Sequence, residues 1–268
     1  MFDSHCHLDR SASDPNDALV RALNAGIKYL LIAGVNPEQW CSAQSWIQPG
    51  VFMSAGLHPW WVSSHPETVD QGMDDLEAFV TQRRAQVHAI GETGLDFRRS
   101  ADPLIRQAQR RAFQWHIDAA CRWDLPLILH IVGAHTDALG ILRNAELPVR
   151  GGVVHGFSGS AEVAMQYNRL GLSISFSGAV THPNRRRLHR AAAAIPDEWL
   201  LVETDSPDQT PWNRHPAPNE PAFLIDVLST MATLRHQSLE EVTRITTSNA
   251  LKLFAPHERR HLQIAPTI

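Results

Sequence analysis

The sequence predicts an α/β fold of the (β/α)8 type, a TIM-like barrel in a single domain. About eight short apolar runs alternate with longer amphipathic segments from end to end, which is the pattern of strands and helices in such barrels. The length of 268 residues fits one barrel. An open doubly wound sheet is the alternative, but no Gly-x-Gly-x-x-Gly turn follows the first strand. Because no linker, repeat or composition shift divides the chain, we expect residues 1–268 to form one domain.

The predicted strands are the short apolar runs. They cover residues 2–7, 27–33, 51–56, 87–91, 126–130, 151–156, 172–176 and 199–204. After the last of them, residues 205–221 are too rich in proline for a helix or a strand. We expect this segment to overhang the mouth of the barrel, where the carboxyl ends of the strands lie.

Helix-end signals mark the segments between the strands. Asp14-Pro15 predicts an N-cap and a first helical residue, and Gly26 ends that helix. Asp102-Pro103 repeats the signal, and Ser238 with Glu241 fits a capping box. The apolar faces expected on the first two helices consist of Ala18, Leu19, Ala22 and Leu23, and of Leu104, Ala108, Ala112, Trp115 and Ala119.

Composition excludes several classes of protein. Three scattered cysteines, Cys6, Cys41 and Cys121, are too few for a disulfide framework. No signal-peptide pattern and no run of membrane-spanning length is present, so we expect a cytoplasmic protein without membrane contact. A net charge of −4 argues against a generally basic surface. It does not exclude a nuclease, because metal ions supply positive charge locally.

Metal-ligand residue types stand at the carboxyl ends of five predicted strands. His5 and His7 alternate on the first strand, so both side chains point to one face. Because all strand ends meet at the mouth of a barrel, we expect one cluster, consisting of His5, His7, Glu92, His130, His155 and Asp205. Four imidazoles and two carboxylates exceed the needs of one tetrahedral ion, which suggests two divalent ions, a shared carboxylate and hydrolysis by an activated water.

At these residues the sequence resembles the TatD family of metal-dependent deoxyribonucleases, within the amidohydrolase superfamily. The matching segments extend over nearly the whole chain, and their order and spacing carry the resemblance. They are FDSHCHLD (2–9), GLHPWW (56–61), GETGLDF (91–97), DLPLILH (124–130), VVHGFSGS (153–160), LVETDSP (201–207) and NALKLF (249–254).

The resemblance implies roles for individual residues. One metal ion is expected among His5, His7, Glu92 and Asp205, and the second among Glu92, His130 and His155, with Glu92 bridging. Asp205 is expected to take the proton from the attacking water, and His58 to lie beside the scissile phosphate. Apart from the resemblance, a turn residue before Pro59 is the preferred interpretation of His58. Because Asp96 and Thr204 stand close to the ligands in sequence, they are candidates to orient the ligand imidazoles. For Asp96, a residue that only ends a strand is an equal alternative.

Two departures from the family pattern concern the substrate. Trp60 stands where many relatives have a second histidine, and Val132 where many have an arginine suited to gripping phosphate. His135 is a candidate partial replacement, or else a residue of a helix surface. Arg185 and Arg187 belong to a basic cluster that either contacts a nucleic-acid backbone or forms a solvated helix face. Trp60, Trp61 and Trp212 either stack on bases or pack the loops together.

Three functions remain open at this point. The first is cleavage of DNA phosphodiester bonds at single-stranded ends, because a deep mouth admits a flexible terminus more easily than a duplex middle. The second is hydrolysis of an amide, ester or lactone, and the third is a binding barrel without activity. A carbamylated lysine usually accompanies the second, but Lys28 and Lys252, the two lysines, lie away from the predicted ligands. Mg, Mn and Zn are the candidate ions, and no obligate protein partner is expected.

Overall fold

Eight parallel strands form one sheet in which each strand pairs with its neighbours in chain order. The computed structural model describes residues 1–99 and 101–257. The strands are β1 (Phe2–Cys6), β2 (Tyr29–Ile32), β3 (Val51–Ala55), β4 (Val87–Asp96), β5 (Leu127–Val132), β6 (Gly152–Val154), β7 (Leu172–Phe176) and β8 (Leu200–Val202). The eight predicted strands are confirmed, and the fold is a (β/α)8 barrel. The predicted single domain extends to residues 258–268, which lie outside the described part of the chain.

Helices follow the strands and cover the outside of the barrel. They are α1 (Pro15–Asn24), α2 (Pro37–Ala43), α3 (Pro59–Ser64), α4 (Val69–Gln82), α5 (Pro103–Trp123), α6 (His135–Asn144), α7 (Ala161–Asn168), α8 (Arg186–Ala194), α9 (Leu224–Arg235) and α10 (Leu239–Phe254). The side chains of Asp14, Asp102 and Ser238 cap α1, α5 and α10, as predicted. Within the described residues, no helix combines the length and the apolar character needed to cross a bilayer.

The first and last strands approach each other and nearly close the barrel. Backbone N–H groups of His7 and Asp205 donate to the carbonyl oxygens of Ser206 and His5, at 2.8 and 2.9 Å. Asp3 adds a buried link, because its carboxylate accepts hydrogen bonds from the backbone and the hydroxyl of Thr204 at 2.9 and 2.6 Å. These contacts bring the end of β8 beside the end of β1, where the candidate ligands lie.

The end of the barrel opposite the mouth is filled by apolar side chains. Seven strands each contribute one residue to a cluster with the last turns of α10, namely Phe2, Leu31, Phe52, Ala89, Ile128, Val153 and Leu201. The helices cover the outer face of the sheet in a second, larger cluster. Two expected helix contacts are wrong, since Leu23 and Leu104 are 63% and 74% exposed. Both lie one residue from a helix end, Leu23 in α1 and Leu104 in α5.

Strand β4 extends five residues past the predicted end at Gly91. It remains paired with β5 as far as Asp96 and Val132, because β5 also continues past its predicted end at His130. Between Ile90 and Thr93 the register shifts by one residue, which is a β-bulge. Gly91 lies at this bulge with φ +143°, and an added Cβ would lie 2.5 Å from the carbonyl oxygen of Ile128. At this bulge, the side chain of Glu92 points into the mouth of the barrel.

Candidate metal centre

Glu92 lies at the centre of the predicted ligand cluster, and its two carboxylate oxygens face different imidazoles. On one side, Oε1 lies 3.3 Å from Nε2 of both His5 and His7. These histidines lie within and immediately after β1. Oδ1 of Asp205 lies 3.7 Å and 3.6 Å from the same two nitrogen atoms. Two imidazoles and two carboxylates therefore meet at this side of Glu92.

The other oxygen of Glu92 faces a residue of β5, the residue that follows β6 and the N-cap of α3. Oε2 lies 2.8 Å from Nε2 of His155, 3.6 Å from Nδ1 of His130 and 3.7 Å from Nε2 of His58. His130 and His155 also contact each other, with 3.1 Å between Nδ1 and Nε2. All six predicted ligands are thus brought together, and Glu92 lies between the two groups.

The donor set suits divalent cations. Buried atoms left without a hydrogen-bond partner in the described structure include Nε2 of His5 and Oε1 of Glu92, although they face each other. A shared cation would satisfy both atoms. Three overlapping groups bring their ligand atoms within 4.8 Å of one another: His5, His155 and Asp205; His5, His7 and Glu92; and His58, Glu92 and His130. Mixed imidazole and carboxylate donors of this kind bind Zn and Mn well.

Burial and charge oppose each other in the cluster. Burial alone would raise the pKa of the Glu92 carboxyl, but the imidazoles of His5 and His155 hold it well below its usual range. For His155, burial lowers the pKa, whereas the nearby Glu92 carboxylate raises it well above the usual value. Burial lowers the pKa of His58 well below its usual value, and the neighbouring His130 adds to this effect. The centre is therefore an ionised carboxylate surrounded by imidazoles.

Outer carboxylates contact the ligand imidazoles on the side away from Glu92. Oδ2 of Asp96 lies 3.6 Å from Nε2 of His130, which supports its predicted orienting position. Oε1 of Glu203 lies 3.5 Å from Nδ1 of His155 and accepts a hydrogen bond of 2.5 Å from the backbone of Gly156. The expectation for Thr204 is wrong, because its hydroxyl and backbone N–H bond to Asp3 instead of an imidazole.

Sequence reasoning missed two residues at the centre, the buried Glu203 and the half-buried Gln209. Glu203 lies two residues before Asp205, directly after β8, and this alternation was the signal that could have identified it. Gln209 bonds to Asp205 from a proline-rich loop. No periodic pattern marks a residue in such a loop, so Gln209 had no comparable signal.

His58 lies before Pro59 as the N-cap of α3, and its ring also lines the cavity beside Glu92. Its Nδ1 atom accepts a hydrogen bond of 3.0 Å from the backbone N–H of Trp60 and so caps α3. In a neutral imidazole whose Nδ1 accepts, Nε2 carries the proton. His58 therefore turns a hydrogen-bond donor toward the cavity beside Glu92.

A cavity of about 400 Å³ opens above the cluster. Beyond the ligands, its lining includes Arg10, Val35, Asn36, Trp60, Trp61 and Asp208. Asp208 belongs to the proline-rich segment that was expected at the mouth. Trp60 is more constrained than expected for a free stacking surface, because its Nε1 donates a hydrogen bond of 2.6 Å to Asp96. The guanidinium of Arg99 also lies 3.7 Å from the centre of its ring.

Other residues singled out in the sequence lie away from this cavity. Arg185 and Arg187 are exposed at the start of α8 and do not line it. Trp212 is 53% exposed and packs against His182, with 4.3 Å between ring centres. His135 forms a hydrogen bond of 3.0 Å with the hydroxyl of Tyr167. It therefore packs against Tyr167 and does not take the place of the missing phosphate-binding arginine.

Both lysines lie at the closed end of the barrel. Lys28 directly precedes β2, so it lies at the amino end of that strand. Lys252 lines a separate cavity with Gly151 and Gly171, which precede β6 and β7. Neither lysine therefore lies near the candidate ligands at the mouth.

Fold and ligand cluster together define a barrel hydrolase of the metal-dependent class. The family model described as TatD related DNase matches residues 2–255. The chain belongs to this TatD family of metal-dependent hydrolases.

Known proteins with similar sequences and structures agree with this assignment. The chain is 34% identical over 261 residues to the uncharacterized metal-dependent hydrolase YcfH of Escherichia coli strain K12, covering 95% of each protein. It is 33% identical over 263 residues to the 3'-5' ssDNA/RNA exonuclease TatD of Klebsiella pneumoniae strain 342, covering 95% of this chain and 97% of that protein. The crystal structure of YjjV, a TatD homolog from Escherichia coli K12, superposes with a TM-score of 0.87 at 30% identity, covering 95% of this chain and 97% of that one.

Proposed function

We propose that this protein hydrolyses phosphodiester bonds of DNA from single-stranded ends, using two divalent ions. One observation carries the proposal: the two oxygens of Glu92 face separate sets of imidazoles, His5 with His7 on one side and His130 with His155 on the other. A carboxylate shared in this way is the arrangement expected of a two-metal hydrolase. The Klebsiella relative, named a 3'-5' ssDNA/RNA exonuclease, supports the choice of substrate.

Each residue of the centre has a separate role in the proposed hydrolysis. When bound, the ions supply the positive charge that polarises the phosphate and favours deprotonation of the attacking water. Asp205 accepts the proton of that water at Oδ1, the oxygen that faces His5 and His7. His58 donates a hydrogen bond from Nε2 to a phosphate oxygen. Glu92 keeps the two groups of ligands together.

The shape of the cavity supports action at chain ends. The cavity ends at the buried ligands, and apolar walls from Val35, Trp60 and Trp61 line the way to them. A terminal nucleotide can enter a cavity that is open at the mouth and closed at the ligands, whereas a continuous duplex cannot. Arg10 lies at the rim, 3.1 Å from Asp208, where it can meet a phosphate of the incoming strand. Arg185 and Arg187 remain candidate contacts for a longer strand outside the cavity.

Hydrolysis of an amide, ester or lactone is the second candidate because Val132 stands in place of a phosphate-gripping arginine. The side chain of Val132 is half-buried and apolar. The absence of a lysine from the described mouth argues against this candidate, since a carbamylated lysine is its usual companion. DNA cleavage is therefore the activity to test first.

The experiment uses end-labelled single-stranded DNA and metal-stripped protein reloaded separately with Mg²⁺, Mn²⁺ or Zn²⁺. Stepwise shortening that depends on the ion and is lost in Asp205→Asn is the expected result. The matched control is Asp208→Asn, which changes a carboxylate at the rim of the same cavity. A folded, metal-loaded protein that leaves DNA intact would overturn the proposal and direct attention to ester and lactone substrates.

A further inference from the structure

Gln209 lies in the loop after β8 and contacts one oxygen of Asp205. Its Nε2 atom donates a hydrogen bond of 2.9 Å to Oδ2 of Asp205. The other oxygen, Oδ1, lies 3.7 Å from Nε2 of His5 and 3.6 Å from Nε2 of His7. The amide thus holds one oxygen of the carboxylate, and the second faces the ligand imidazoles.

The chemistry of its neighbours determines which way the amide of Gln209 points. An ionised carboxylate only accepts hydrogen bonds, so the NH₂ group must face Asp205. Oε1 of Gln209 accepts a hydrogen bond of 2.9 Å from the hydroxyl of Ser177, directly after β7. Ser177 and Asp205 are 3% and 8% exposed, so water does not readily replace either bond. Glutamine is the side chain of this length that offers both a donor and an acceptor without charge.

The backbone around Gln209 leaves this side chain little freedom. Gln209 itself has φ +55°, in the left-handed region. An added Cβ on Gly156 would lie 3.2 Å from Nε2 of Gln209, and one on Gly178 would collide with its carbonyl oxygen. Glycine at both positions makes room for Gln209 between the ends of β6 and β7.

We propose that Gln209 is a positioning residue that fixes the orientation of the Asp205 carboxylate. By holding Oδ2, it presents Oδ1 to the metal-ligand side of the centre. Without the amide, the carboxylate can rotate, and cation binding loses a pre-oriented ligand. The inference rests on the proposed function in one respect, namely that Asp205 is a metal ligand and the proton acceptor.

A purely structural role is the competing explanation, because Gln209 also ties its loop to Ser177. Ser177→Ala removes the hydrogen bond between Ser177 and Gln209 and leaves the bond from Gln209 to Asp205 in place. If Gln209 acts through Asp205, loss of its own N–H donor must weaken metal binding much more than Ser177→Ala does.

The test titrates Mn²⁺ into the metal-stripped full-length protein by calorimetry. Gln209→Glu removes the donor and adds a charge, and Gln209→Met removes the donor without a charge. Gln71→Glu is the matched control, because Gln71 donates a hydrogen bond of 3.0 Å to Asp75 on an exposed helix face. We expect Gln209→Met to weaken Mn²⁺ binding about 10- to 100-fold, the range for loss of a residue that orients a metal ligand. Gln209→Glu should weaken it less, because its added negative charge attracts the cation. The control and Ser177→Ala should stay close to wild type.

Two further readouts separate positioning from folding and from function. The metal-free Gln209 variants should still fold, as circular dichroism and cooperative thermal unfolding would show, and on DNA their kcat should fall while KM stays unchanged. Wild-type Mn²⁺ affinity in both variants, or equal weakening in Ser177→Ala, would overturn the inference. If a Gln209 variant fails to fold while Ser177→Ala folds, the residue is structural and the inference is wrong. Mn²⁺ affinity is measured without DNA. If the wild-type protein does not cleave DNA, the proposed function is wrong, but the effect of Gln209 on Mn²⁺ affinity can still be measured.

Discussion

Nε2 of His155 lies 2.8 Å from Oε2 of Glu92, the shortest contact between an imidazole and a carboxylate among the described residues of the metal centre. His155 follows β6, and Glu92 lies at the bulge of β4, so the contact connects the two strands on either side of β5. On its opposite side, His155 meets Glu203. The imidazole is thus held between two buried carboxylates, a geometry that fixes which nitrogen faces the centre.

Glu92→Gln should abolish hydrolysis and leave the fold intact. The amide has the same shape as the carboxyl group but lacks the charge that faces both sets of imidazoles. Loss of metal-ion catalysis removes several kcal/mol of transition-state stabilisation, so turnover should fall at least about 100-fold. Cleavage of end-labelled DNA measures this loss, and circular dichroism checks the fold. Wild-type turnover in a folded variant would contradict the two-metal scheme.

Asp205→Asn should also lose at least about 100-fold in turnover, because the amide cannot accept the proton of the attacking water. It should retain some metal, since Glu92, His130 and His155 remain. Elemental analysis after gel filtration measures the ion content, with Asp208→Asn as the control. A folded Asp205→Asn protein without any metal would show that Asp205 acts mainly as a ligand.

Arg185 and Arg187 lie outside the cavity, so their contribution should be electrostatic. Replacing both with glutamine should reduce the slope of log K against log salt by about 1.4 for single-stranded DNA, which corresponds to two phosphate contacts. Binding is measured in the Asp205→Asn background, where DNA is not cleaved. The control replaces Arg111 and Arg122, which pair with Asp70 and Glu77 on an outer helix. Equal slopes in both double variants would show that the cluster on α8 is only a solvated face.

Trp60→Phe should destabilise the protein through Asp96. The substitution removes the donor of a 2.6 Å hydrogen bond to a carboxylate that is 2% exposed. Burial would raise the pKa of Asp96, but the nearby His130 imidazole and the hydrogen bond from Trp60 hold it at about 2, so this group is charged near neutral pH. We expect the free energy of unfolding to fall by about 1.5 to 3 kcal/mol in urea titrations. Trp61→Phe, whose ring stacks on His65, is the control. Equal losses would indicate that ring packing, and not the N–H donor, matters at this position.

His116 should make stability depend on pH between about 4 and 6.5. Burial lowers the pKa of this histidine to about 4, and its Nε2 accepts a hydrogen bond of 3.0 Å from the backbone of Leu57. In this window the unfolded chain binds a proton at His116 and the folded protein does not, so the free energy of unfolding decreases as pH falls. Between pH 7.5 and 5, wild type should lose about 2 kcal/mol more than His116→Gln. Parallel pH profiles of the two proteins would contradict this assignment.

Much of the metal centre was predictable because a barrel brings all its strand ends to one mouth. Residues such as His5 and His130 are separated in the chain, but their position at strand ends was enough to predict the cluster. The bulge at Glu92 was not predictable, since it depends on how far β4 and β5 remain paired. The role of Gln209 was hidden for a similar reason, because a left-handed residue in a proline-rich loop follows no period.

The sequence by itself determined the eightfold alternation of strands and helices, the helix caps at Asp14, Asp102 and Ser238, and the identity of the six candidate ligands. These features depend on local periodicity and on residue type, which the chain carries directly. The tertiary structure alone decided which oxygen of Glu92 faces which imidazole, that Trp60 bonds to Asp96, and that Gln209 holds Asp205. Such contacts depend on side-chain directions set by packing between distant strands, and no local pattern encodes those directions.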